Sequence, residues 1–207
     1  MKKHFSKLIT LCLALCMVCA MSATAFAAEI DTSGGSGTTP VNLTTTNGGI
    51  GGGGGTTPTK LNVVVPTSLP MAMSDDGDVV TATDCKIVNN SYGAVRVKSV
   101  SITAASGWHL TAFGNKSSLA GEKVDSNKLG FAIRIGGGTQ SATDASNTSA
   151  QSLISAPVTG CYMTGVGDTP GNAVNIDYAA IVTPLSSAVT NATVASVVFI
   201  VEWDTAA

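Results

Sequence analysis

From Lys60 onward, apolar and polar residues alternate with period two, the spacing that puts successive side chains on opposite faces of a β-strand. Leu61, Val63 and Val65 form the first such set, and Pro66 and Pro70 confine it to a sheet edge or a strand end. Met71 and Met73, the turn Ser74-Asp75-Asp76-Gly77-Asp78 and the β-branched run Val79–Thr83 read as a hairpin with an Asp-Gly turn. Cys85–Val88 runs into the turn Asn89-Asn90-Ser91. Val95 and Val97 alternate before the inward phase shifts to Val100 and Ile102, which predicts a β-bulge near Ser99. Further sets are Trp108, Leu110, Ala112; Leu129, Phe131, Ile133, Ile135; Val174, Ile176, Tyr178, Ala180; and Val197, Phe199, Val201, Trp203. About eight short strands without a convincing amphipathic helix predict an all-β fold, an antiparallel β-sandwich with Ig-like or jelly-roll connections. Ser117–Lys123 is expected to form one helical turn, and 136–150 a polar loop.

The residues before Lys60 follow other rules. Met1, Lys2, Lys3, His4 and Lys7 make a cationic head, Leu8–Ala20 an apolar run, and Ala25-Phe26-Ala27 a small-x-small site. That order is a secretory signal peptide over residues 1–27, cleaved after Ala27; the apolar run falls short of the ~20 residues a membrane span needs. Cys16 and Cys19 lack the small residues that a lipidation site has before its cysteine, and no later segment could span a membrane. Residues 28–59, with Gly34-Gly35, Gly48-Gly49 and Gly51–Gly55, are expected to be a disordered, flexible Gly/Thr/Ser-rich leader. One island, Val41–Thr46, has strand composition, and Val41 and Leu43 mark it as a strand that pairs with an open edge, its own or a neighbour's. The domain is then 60–207.

Composition narrows the function. The mature 180 residues keep eight Lys and Arg against 13 Asp and Glu, a formal charge of −5, which offers nothing to nucleic acid. Cys85 and Cys161 are the only mature cysteines. An exported compartment permits a bridge between them, and the alternative is two buried thiols.

Candidate chemistry is sparse, and the chain reads as a non-enzyme without cofactor or metal. His109 is the single mature histidine, so a zinc site built on two histidines has no ligands and a Ser-His-Asp arrangement has only one candidate base. Between Trp108 and Leu110 it is expected to point outward from a strand. Asp75, Asp76 and Asp78 could offer oxygens to calcium, but without a Glu at the twelfth position they read as a solvated turn. A hydrolase would use carboxylates such as Asp125 or Asp177, since paired acids need no fixed sequence spacing. Trp108 and Trp203 are either core plugs or an exposed stacking platform for carbohydrate.

Gly107-Trp108-His109-Leu110, preceded by the strand Val95–Thr103, resembles the first Trp-x-Leu motif of the WxL surface domains of Gram-positive bacteria, and Val197–Trp203 resembles their C-terminal tryptophan strand. Asp204 and Thr205 follow Trp203, so the second motif lacks its leucine. The resemblance implies a secreted, cell-wall-associated protein that binds peptidoglycan non-covalently or joins surface complexes. The signal peptide, Thr-rich segment and β-sandwich pattern are also similar to camelysin-like and biofilm fibre subunits. That likeness implies self-association through a donated N-terminal strand, here Val41–Thr46.

Overall fold

The computed structural model describes residues 26–43, 61–145, 148–168 and 171–205. Two mainly antiparallel sheets face each other across one apolar core, so the chain is an all-β sandwich.

The first sheet runs β1 (Phe26–Ile30), β3 (Val63–Pro66), β6 (Lys86–Asn89), β13 (Ala173–Val182), β9 (Lys128–Ile135) and β10 (Ser141–Ala142), with β8 (His109–Thr111) also on β9. The second runs β11 (Ala150–Ile154), β7 (Val95–Ala104), β14 (Ala192–Trp203), β2 (Gly35–Leu43), β4 (Met71–Met73) and β5 (Val79–Thr81), with β12 (Tyr162–Met163) also on β7. Alternation decides which face is buried. Along β7, Val95, Val97, Val100 and Ile102 are fully buried; along β14, Val197, Phe199 and Val201 are, and along β9 Leu129, Phe131 and Ile133. The bulge expected near Ser99 falls at Lys98: Ile200 pairs with Ser99 and Val201 with Val97, so Lys98 is the extra residue.

The Met71–Thr81 hairpin forms as expected, Gly77 taking φ +79° in its turn. The expected helical turn is a 3-10 turn, Lys116–Leu119. Two short strands, β10 and β11, stand in or beside the stretch expected as a 136–150 loop; β11 extends it to Ile154 by pairing with β7. Among the described residues, no helix is long and apolar enough to cross a membrane.

The N-terminal segment departs most from expectation. Residues 28–43, expected as flexible leader, carry most of β1 and all of β2, and the expected cleavage point after Ala27 falls inside β1. β1 lies on β3, from Phe26 opposite Pro66 to Ile30 opposite Val63. A turn closed by Gly35 N–H donating to Thr32 O leads into β2, which runs antiparallel to β14 from Gly35 opposite Val201 to Leu43 opposite Ala192. The strand island is therefore real but displaced: it starts at Gly35 and includes Val41 and Leu43. Backbone pairing explains why so polar a segment is ordered, since ladder hydrogen bonds need no particular side chain. Residues 1–25, 44–60 and the rest of the island lie outside the described residues.

These registers define two poles. Leu43, Met71, Ala104, Val182 and Ala192 lie at or near the upper one; Gly35, Asn89, Val95, Ala173 and Trp203 lie at the lower.

Candidate functional site

β14 is the longest strand of the sandwich and is apolar on its inner face. On one side it pairs with β7; the other would be a row of unpaired N–H and C=O groups, a template for association, if β2 did not cover it. β2 covers nearly all of it. Small residues let it lie close: Gly37 and Thr39 are buried, and Thr39 Oγ1 donates to Pro66 O at 2.5 Å, tying the strand to the opposite sheet. On its far side β2 meets β4 only where Leu43 stands parallel to Met71. At the lower pole, Gly34 N–H donates to Val201 O and Trp203 N–H to Ser33 Oγ. Thus a segment of 18 residues, 26–43, contributes one strand to each sheet, and the next described residue is Leu61.

The structure does not bring the two tryptophans together. Val95 pairs with Trp203 and Ala104 with Ala195, so eight strand positions, roughly 27 Å at ~3.4 Å each, separate the pole of Trp203 from that of Trp108. Both are half-buried against the core. An added Cβ at Gly93 would stand 2.8 Å from Cζ3 of Trp203, so the indole lies directly on that backbone. Leu110 is fully buried.

Cys85 and Cys161 are separate free thiols, Cys161 buried and Cys85 half-buried. Cys85 sits beside Tyr178; burial pushes its thiol up to about 11, Asp84 adds to the rise, and a hydrogen bond with Tyr178 opposes it. Burial also raises Cys161.

The remaining candidates are dispersed. His109 is exposed on β8. Asp78 pairs with Lys116 at 2.5 Å, and Lys116 also donates to Asp76 O, so this turn is tied to the 3-10 turn. Among the described residues no three His, Cys, Asp or Glu side chains gather around a metal position. Asp177 pairs with Arg134 at 2.9 Å, while Asp125 accepts from Ser186 N–H and Oγ, which hold its carboxyl below the usual range. Asp125 N–H donates to Pro184 O, two residues past the end of β13 and seven beyond Asp177, roughly 24 Å along the extended chain. A glycosidase pair stands ~5 to 10 Å apart.

Glu202 carries the densest charge cluster, accepting from Lys98 and Arg96 at 2.9 Å each, with Arg96 reaching Asp204 at 3.3 Å. Sequence alone does not join these charges, because Glu202 meets Arg96 only through the register of β14 on β7.

Fold and site together define a class: a β-sandwich whose C-terminal strand is completed by its own N-terminal segment. No protein-family model, curated protein or solved structure matches the chain.

Proposed function

We propose that the protein is exported, non-catalytic and self-associating, a cell-surface subunit whose N-terminal segment completes a neighbouring copy's sandwich as it completes its own. One observation carries the reading: β2 covers the edge of β14, and seventeen residues, 44–60, join it to the rest of the chain. A strand paired along nine residues of that edge, and joined to the rest of the chain by seventeen residues, meets an identical edge on every other copy, which is the condition for strand exchange. The signal-like residues 1–27 support export, and the cell surface or wall is the setting this assigns.

Retention on peptidoglycan by a WxL-like module is the second reading. It rests on Gly107–Leu110, whose Leu110 is buried in a strand as a structural motif residue would be. Tryptophans at opposite poles supply no common platform, so strand exchange takes precedence.

Light scattering on residues 28–207 and on a chain begun at residue 44 tests the proposal. Species larger than a monomer are expected from the first, and their strand-mediated series is lost from the second. A strictly monomeric, folded 28–207 chain at high concentration would remove the reading.

A further inference from the structure

The strand polarities carry this reading further and give the assembly a direction. In the structure the connection from Leu43 to Leu61 begins at the upper pole, where Leu43 pairs with Ala192, and ends at the lower, where Asn62 O accepts from Asn90 N–H. Eight steps of β2 and the ~10 Å between sheets put these ends about 30 Å apart. The seventeen residues 44–60, which reach at most about 55 Å, must cover that distance to close on their own sandwich. A copy stacked with its lower pole on the upper pole of the next presents the opposite case. Its segment seated in that neighbour leaves at the neighbour's upper pole, immediately below its own Leu61.

The two poles differ in the way such stacking requires. The lower pole exposes Tyr92 (59%) and Val166 (41%), brought together where Val166 N–H donates to Ser91 O. The upper pole has a groove of about 760 Å3 between the Met71–Thr81 hairpin, the 3-10 turn and residues 182–189, with Met73, Leu119, Leu185 and Val189 among its apolar walls. Asp75 and Asp76 on its rim are acceptors for a phenol hydroxyl. Large exposed apolar side chains at one end and an apolar groove at the other make a heterologous pair of surfaces, which propagates and does not close into a two-fold dimer.

We infer that copies of this chain stack head to tail, Tyr92 and Val166 of one entering the upper-pole groove of the next. The inference rests on strand exchange being the mode of association. Two single variants of the 28–207 chain test it: Asp168→Cys beside Val166, and Ser187→Cys on the groove rim. Under mild oxidation the mixture is expected to form a disulfide-linked species that neither variant forms alone; the parent, with Cys85 and Cys161 sheltered, controls for native thiols. Tyr92→Ser with Val166→Ser is expected to raise the concentration needed for assembly roughly tenfold or more. Cross-linking of Asp168→Cys to itself would set like poles together and overturn the inference. Assemblies that persist without the mixed cross-link also overturn it and leave strand exchange standing, whereas the absence of any assembly removes both.

Discussion

Removing residues 46–57 separates pairing within a chain from pairing between chains. Five residues then join Leu43 to Leu61 and reach at most about 20 Å, while the ends they must join are about 30 Å apart. The segment can no longer lie on its own β14, yet its nine-residue strand keeps every backbone group that pairs there. At ~1 kcal/mol for each hydrogen bond, leaving that edge bare forfeits several kcal/mol, which exchange with a second copy restores. The shortened chain is therefore expected to elute only as dimers or larger species at micromolar concentration, with a far-ultraviolet circular dichroism spectrum like the parent's. The parent is expected to show a concentration-dependent mixture. A shortened chain that stays monomeric and folded would refute the reasoning, whether its melting temperature is unchanged or lowered by an undocked segment.

Trp203→Ala removes a half-buried ring lying on Gly93 and is expected to destabilise the fold by about 2 to 3 kcal/mol, below the ~3 to 5 of a fully buried ring, as read from urea denaturation. An unchanged midpoint would mean that the ring is not part of the core. With its thiol pushed up to about 11, Cys85 in the native chain is expected to react with iodoacetamide at pH 8 at least about tenfold more slowly than the unfolded chain's cysteines, the scarcity of thiolate outweighing its higher nucleophilicity. Lys98, and then Arg96, hold the Glu202 carboxyl below its usual range. Its contribution is therefore present above the unfolded-state value and is lost as pH falls through the lowered native one. Glu202→Gln should flatten part of the acid limb of stability against pH and leave the neutral-to-alkaline limb parallel to the parent's.

Period two revealed the strands that bury one face. The alternating sets around Val97, Ile133, Tyr178 and Phe199 each became a strand, and the phase change between Val97 and Val100 placed the bulge to within a residue. Asp76-Gly77 marked a hairpin because its chemistry is local. β1 and β2 were not legible at their true extents. Gly35, Ser36, Gly37, Thr38 and Thr39 bring no large apolar side chain, and their order comes from an edge 158 to 166 residues away in the chain, from Val197 opposite Thr39 to Val201 opposite Gly35. Two-residue strands such as β12 likewise exist only through their partner. The poles of Trp108 and Trp203 follow from the antiparallel pairing of β7 with β14, which two similar motifs in a linear sequence do not convey. The alternatives for Cys85 and Cys161 stayed open for the same reason: a bridge depends on where the sheets set each residue.

The most direct test of the account is electron microscopy of residues 28–207, with a peptidoglycan sedimentation assay on the same preparation. Filaments are predicted, with an axial repeat near the length of the twelve-residue β14, about 40 Å, and they should vanish when the chain begins at residue 44. Monodisperse particles that pellet with the wall would contradict strand exchange and favour the WxL-like module.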